Sequence, residues 1–510
     1  MLHPQHIVKK PWSFIRQFPY FLYALPVRKS FRNAGFEEIQ IQDLPLIRHW
    51  PEDGGAFVTL PQVYSEDPEK PGIWNSNLGM YRIQLDGNEY IKNKEVGLHY
   101  QLHRGIGVHH SKAVQKKTSF KVSVFVGGPP AHTFSAVMPL PEGMPEICMA
   151  GLLARRRFRY DYVDGWLVSL DADFIILGEV DLEKNKPEGP FGDHFGYYSL
   201  VHPFPYMKVH KVFAKPHGIW PFTVVGRPPQ EDTIFGHLIH EITAPLIAKE
   251  LPGVKAIHAV DAAGVHPLLL AIGSERYTPY LKDSRPSEML TQAFRILGTG
   301  QLSLTKFLIM MEFFEGIPHP YEIKRFFNYF LERVDTHSVY LFSRTTIDTL
   351  DYSGDELNRG SKMVFLAGRE AKRTLTPVGH DRIQEWFGTN AREIIPGIWC
   401  LQFRSFSDYN NVTDEINEVR NKLKQCPYPL PVWIILCDGI NEEDLFTDFL
   451  WITFTRCNPA RDVHGFEEIL KNKEIQFTFP LIFDARIKPH HAPVLTMSEN
   501  VVEKIKKIIR

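Results

Sequence analysis

The sequence predicts an α+β protein: a β-rich part, then a part in which strands and helices alternate. Three observations carry this reading. From about residue 55 to residue 215 the apolar runs are short and β-branched, as in KVSVFVGG (121–128) and DFIILGEV (173–180). Pro- and Gly-rich turns follow or separate them, at GGPPA (127–131), MPLPEGMPE (138–146) and NKPEGPFG (185–192). GRPPQED (226–232) is a turn cluster that opens onto IFGHLIHEITAPLIAKEL (234–251), whose apolar residues recur at helical spacing. Beyond residue 255, buried-strand runs such as HPLLLAIG (266–273) and PVWIILCDG (431–439) alternate with helical patterns at 287–297, 412–424 and 499–509. The stretch from about 300 to 400 is polar and aromatic and receives no assignment, and no repeat period stands out.

The totals bound the function. A chain of 510 residues implies two to four domains. With 44% hydrophobic and 23% charged residues the composition is globular. A formal net charge of −1 leaves no basic excess to hold nucleic acid. The five cysteines are scattered and contain no CxxC pair, which argues against a disulfide framework or a zinc knuckle and fits a reducing, cytoplasmic setting. The opening MLHPQHIVKKPWSFIRQFPYFLYALPVRKS is aromatic, but Pro and Arg interrupt it. It is too broken to span a bilayer and lacks a signal-peptide pattern, so it reads as a segment packed on a domain surface, with at most a peripheral membrane contact.

Several stretches could carry chemistry. PEGPFGDHFGYY (187–198) holds Glu188 and Asp193 among Gly189, Gly192 and Gly196, glycines that permit unusual φ angles and close approach to a ligand. Two acids brought together repel, so one keeps its proton near neutral pH and can act as a general acid. The competing reading is two solvated acids on a surface turn, and composition alone favours it. IWNSNLGMYRIQL (73–85) offers Asn77 as a neutral oxygen ligand and Arg82 as a fork for a carboxylate. LHRGIG (102–107) sets His103 and Arg104 before two glycines, which suits a metal or a phosphate. His237, His240 and Glu241 do not match HExxH spacing and read as one face of a helix.

Taken together and in order, these stretches resemble the UbiD family of reversible decarboxylases. The matching segments are LIRHWPEDGGAFVTLP (46–61), NLGMYR (77–82), HRG (103–105), GGPPA, PLPEGMPE (139–146), PEGPFGDHFGYY and GRPPQED, with FLWITFTRCNPARD (449–462) after the late strand. The resemblance implies a split β-barrel that binds prenylated FMN, within residues 46–225. It follows an N-terminal aromatic segment (1–45) and precedes a C-terminal α/β oligomerisation domain (226–510). It implies a divalent metal, usually Mn²⁺, held by Asn77, His103 and Glu146, ligands that suit a hard cation. It also implies K⁺ at carbonyls around Ser135 to Met138. Met80, Tyr81 and Arg82 fall on one cofactor-binding motif, and His99, Tyr100, Gln101, Arg104 and Gly105 on a second. The implied catalytic trio is Arg82, Glu188 and Asp193, with Asp193 as the proton donor and an Arg82–Glu188 ion pair orienting the substrate carboxylate.

The implied activity is decarboxylation of an aromatic or α,β-unsaturated acid, most often in quinone biosynthesis, on a polyprenyl-hydroxybenzoate or naphthoate-type acid. A flavin prenyltransferase would supply the cofactor, and a homo-oligomer, dimer or hexamer, is expected, with the apolar strand and helices of 255–297 as a candidate surface. Two departures are visible. Family members usually carry a further domain of about ninety residues ahead of the segment matching 11–50, within the ordinary size of a small domain. Many also carry a Lys leading into the late strand, where this chain has Pro431 and Val432. Two other readings stand beside the first: a non-catalytic or complex-bound subunit, and an FMN-dependent oxidoreductase, which would not need Arg82, Glu188 and Asp193 together.

Overall fold

In the computed structural model, residues 20–100, 105–140, 143–277, 286–354, 356–388 and 390–509 are described. They divide into two compact units. The first comprises the described residues up to Asp193, with Tyr198–Gly226 and those from Val494. The second comprises His194–Tyr197 and Arg227–Pro493.

The first unit is built on a nine-stranded antiparallel sheet, the split barrel of the α+β expectation. Its spine is the pair Phe174–Glu188 and His202–Ala214, in register from Phe174↔Ala214 to Glu188↔His202. The run FIIL in the first strand is apolar without alternation because both faces of the sheet are covered. Phe174 and Ile176 enter one core with Val63, Val96, Val124 and Met207. Ile175 and Leu177 enter another with Tyr64, Phe125, Val168 and Phe213. The register shifts at Leu177/Gly178 and again between Val180 and Asn185. The strand thus continues past the core, through exposed residues, until Glu188 is buried once more. From the opening segment, Val27–Arg28 pairs with Arg159–Val163 and Glu37–Ile39 with His202–Ala214.

The second unit contains two five-stranded mixed sheets. One runs Ala256–Ala259, Leu268–Gly273, Phe307–Glu312, Arg359–Ala367, Val334–Thr346; the other runs Ala391–Ile395, Ile398–Gln402, Trp433–Cys437, Leu481–Asp484, Val463–His464. In both, the pairings along the sheet are antiparallel, parallel, parallel and antiparallel, and the last strand in the chain sits fourth. The two sheets therefore share one topology, a duplication the sequence does not display as a repeat. The unassigned stretch from 300 to 400 supplies most of the first sheet. It also supplies the helix Ile323–Arg333, whose Phe326, Phe327 and Phe330 are fully buried. Its aromatic character follows from packing between the sheets, where Phe365 lies 5.4 Å from Trp433 and Phe307 6.2 Å from Phe483, ring to ring. The strand Leu268–Gly273 is wholly buried between two neighbours of its own sheet, so its apolar run is an internal core and not a free oligomer surface. Among the described residues no helix is long and apolar enough to cross a membrane.

Candidate active site

Arg82 organises the site in the first unit. It follows the strand Ser76–Gly79 and precedes Ile83–Gln84, and its side chain is only 8% exposed. The guanidinium grips Glu188 as a fork: Nε donates to Oε1 and Nη2 to Oε2, both at 2.8 Å. Nη1 donates to Asp193 Oδ2, and Nη2 also reaches Ser199 Oγ at 2.9 Å. The Phe191 ring lies 4.6 Å from the guanidinium carbon. Glu188 and Asp193 are thus not two solvated acids on a turn. Both are buried and share one cation.

This changes the reasoning about their repulsion. Burial by itself pushes the Glu188 carboxyl up. The Arg82 charge, with His99 next, overrides burial and holds it well below the usual carboxylate range. Glu188 is therefore the permanent anion of the pair. His99 Nδ1 stands 3.1 Å from Glu188 Oε2, and its ring packs 4.2 Å from Phe204. His99 Nε2 and the Tyr90 hydroxyl are buried with no hydrogen-bond partner among the described residues. Orphaned polar atoms of this kind fit a site that receives a polar ligand.

The loop that carries the acids is clamped from the WPEDGG turn. Asp53 Oδ1 accepts the Gly192 N–H at 2.8 Å, while its Oδ2 accepts those of His49 and Trp50 at 3.0 and 2.9 Å. Gln84 Oε1 accepts the Gly189 N–H at 2.9 Å, and Asn88 Nδ2 donates to the carbonyls of Pro187 and Gly189 at 3.1 and 2.7 Å. Gly189 and Gly196 have φ of +92° and +84°, as expected of the loop. Gly192 is needed for a different reason: a Cβ there would lie 2.1 Å from the Trp50 ring. Ser199, Phe191, Gln84 and Asn88 are site residues that the sequence reading did not single out. Asp53 lay inside the matched WPEDGG motif, the one signal that could have found it.

The metal and cofactor residues fall as follows. Glu146 opens the helix Glu146–Ala154, and its Oε2 accepts the Leu78 N–H at 2.9 Å, beside Asn77. Burial raises its pKa, and the Leu78 N–H offsets this only in part. The side-chain oxygen of Asn77 lies so near the Gly105 backbone that a Cβ on Gly105 would meet it at 2.2 Å. A buried carboxylate with no ion pair among the described residues, bonded to the strand that carries the Asn77 amide, is donor chemistry that suits a hard cation. His103 lies outside the described residues, as do Gln101 and Arg104; among the described residues no group of three or more His, Cys, Asp and Glu is arranged to hold a metal. Tyr81 is buried in the core, with its hydroxyl accepting from Asn77 Nδ2 at 3.3 Å, and Tyr100 pairs through its hydroxyl with His110. The Met80 N–H donates to Ala136 O at 3.0 Å, tying that motif to the helix Pro130–Ser135. Near the expected K⁺ position, the Ser135 carbonyl accepts the Met138 N–H at 3.2 Å.

Comparison with known proteins assigns this architecture. Residues 26–228 match the 3-octaprenyl-4-hydroxybenzoate carboxy-lyase Rift-related domain, and residues 233–367 match the C-terminal domain of the same carboxy-lyase. The second match ends with the first of the two topologically alike sheets. A Chlamydia pneumoniae protein, named as the C subunit of a 4-hydroxybenzoate decarboxylase, is 37% identical over 94% of this chain and 77% of its own length. Among solved structures, the closed form of vanillic acid decarboxylase from Sedimentibacter hydroxybenzoicus is similar, with a TM-score of 0.59 at 20% identity over 80% of this chain and 82% of that one. The UbiD-class enzyme HmfF from Pelotomaculum thermopropionicum, in complex with FMN, gives a TM-score of 0.54 at 18% identity over 71% and 81%. The sheet, the clamped acidic loop and these matches place the chain in the UbiD family of carboxy-lyases.

Proposed function

We propose that this protein is a prenylated-FMN-dependent decarboxylase of an aromatic or α,β-unsaturated acid, acting in quinone biosynthesis on a polyprenyl-hydroxybenzoate or naphthoate-type substrate. The observation that carries the reading is one buried guanidinium shared by Glu188 and Asp193. Glu188 stays ionised and keeps Arg82 charged and aimed. Arg82 orients the substrate carboxylate. As the bond between the carboxyl carbon and the substrate breaks, CO₂ leaves and its electron pair stays behind. Prenylated FMN, when bound, supplies the ring that accepts that pair. Asp193 then gives its proton to the vacated carbon and regains one from solvent.

The residues that would hold the cofactor are Met80, Tyr81, Arg82, His99, Tyr100 and Gly105, with Gln101 and Arg104. Asn77, Glu146 and His103 would hold Mn²⁺, which neutralises phosphate charge, and carbonyls around Ser135 to Met138 would take K⁺. The division into a cofactor-binding part (46–225) and an oligomerisation part (226–510) belongs to this reading, as does a homo-oligomer supplied with cofactor by a flavin prenyltransferase in the cytoplasm. The Chlamydia relative is named as one subunit of an enzyme, which also favours a role inside a larger complex.

The test is co-expression with a flavin prenyltransferase, mass measurement of the released cofactor, and CO₂ release from a panel beginning with 4-hydroxybenzoate. A prenylated FMN mass with CO₂ release is expected, and Asp193→Asn should retain cofactor while losing turnover. Plain FMN with NAD(P)H oxidation would move the assignment to an oxidoreductase.

A further inference from the structure

The helix Glu499–Ile509 contains no buried residue. Ile508 and Ile509 are 82% and 80% exposed, and Val501 and Ile505 47% and 44%. Projected at about 3.6 residues per turn, Val501, Val502, Ile505, Ile508 and Ile509 form one stripe. Lys504 and Lys506 border that stripe on opposite sides, while Glu503 and Lys507 lie on the far face. An apolar strip this exposed calls for a cover, and the bordering charges select it.

A second copy of the helix laid face to face would set lysine against lysine along both borders. In a parallel arrangement Lys504 would meet the copy's Lys506; in an antiparallel one each would meet its own equivalent. Like charges so placed oppose association. An anionic bilayer reverses the sign of that interaction. The lysine stems can lie along the acyl boundary with their ammonium groups among the phosphates, and the aliphatic stripe enters between them. The geometry points to this helix as a docking element for an anionic phospholipid surface, lying in the plane of the interface. The inference does not rest on the decarboxylase reading.

The full-length protein is incubated with vesicles of phosphatidylcholine containing phosphatidylglycerol, and separately with phosphatidylcholine alone, and pelleted. Sedimentation with the anionic vesicles only, weakened by salt, is expected. Ile508→Glu with Ile509→Glu should abolish it. Lys504→Ala with Lys506→Ala should weaken the partition about 30-fold, since each basic residue near such a surface counts for about a factor of five. All four side chains lie on a face with no buried residue, so the fold should survive, and circular dichroism checks that it does. Equal sedimentation with both vesicles, sedimentation with neither, or indifference to the lysine pair would overturn the inference. So would a fall in molar mass by light scattering for the Ile508→Glu, Ile509→Glu variant, because a second copy would then be the cover.

Discussion

Glu188 feels two opposing effects, burial that favours its neutral form and the Arg82 fork that favours its anion, and the fork wins. Because its folded pKa is depressed, its stabilising contribution is present above the unfolded value of about 4.3 and is lost as pH falls through the folded value. Arg82→Ala removes the partner but leaves the burial, so it should destabilise by about 3–5 kcal/mol near neutral pH. The gap between wild type and variant should begin to close above the ordinary carboxylate range, where the uncompensated buried acid takes up its proton, and should go on closing as pH falls toward the depressed wild-type value. Urea titrations at several pH values measure this, and a gap that stayed constant would refute the assignment. Glu146 behaves oppositely. Its raised pKa stabilises the fold at low pH and ceases to do so as pH rises through the folded value. In the proposed role as an Mn²⁺ ligand Glu146 would have to give up that proton, so affinity should rise with pH, and Glu146→Gln should weaken binding and flatten the dependence; calorimetry at two pH values decides it. At this scale Arg82, Glu188 and Asp193 stood out only through the family resemblance, since composition alone favoured two solvated acids on a turn. The sequence could not reveal that His99 meets Glu188, or that Asp53 holds Gly192, because those contacts span 89 and 139 residues and exist only once the sheet has formed.

Among the elements, the acidic loop is positioned by contacts too close for any side chain to intervene. A Cβ on Gly54 would lie 2.0 Å from the Gly189 carbonyl oxygen, a backbone atom that cannot swing aside. Gly54→Ala should therefore displace the 187–193 loop, costing about 1–3 kcal/mol of stability. It should cost more in turnover, about 100-fold in kcat, because a shift of about an ångström misplaces Asp193, the proposed proton donor. Thermal melts and kinetics on one preparation separate the two effects, and a variant that kept both its stability and its turnover would place the loop's rigidity elsewhere. Elements with strong local signals were legible: the strands Lys121–Val126 and Trp433–Cys437, and the helices Glu288–Leu297 and Tyr409–Lys424, fall where the patterns put them. The last begins where Asp408 caps it, its side chain accepting the Asn410 N–H at 2.7 Å. The helix Ile323–Arg333 was legible but missed: Ile323, Phe326, Phe327, Phe330 and Leu331 recur at helical spacing, and the last four are buried. By contrast, Cys400 and Cys437 are far apart in sequence, yet their sulfurs lie 3.2 Å apart on neighbouring strands.

Across the whole molecule, the shared topology of the two mixed sheets was invisible as a sequence repeat. Pairing order is a property of hydrogen bonding between strands, and it survives changes in loop length and core residues that erase any fixed period. Composition, by contrast, carries over directly to behaviour in solution. With 58 basic and 59 acidic residues the net charge is −1 when the 22 histidines are neutral, so a little protonation brings it to zero. The histidines do not respond together. His132 and His258 are pushed down to about 4 by burial, and His49, His110 and His491 are lowered for the same reason, so these stay neutral at a pH where an ordinary imidazole begins to charge. The net charge should therefore cross zero close to neutral pH and climb slowly beneath it, leaving a broad zone of weak mutual repulsion. Static light scattering at low ionic strength should show the second virial coefficient at its lowest in that zone, rising on the alkaline side as the net negative charge grows. A minimum displaced to the alkaline side, with the charge climbing steeply beneath it, would mean that the buried histidines titrate with the rest. That would contradict the packing that shields them.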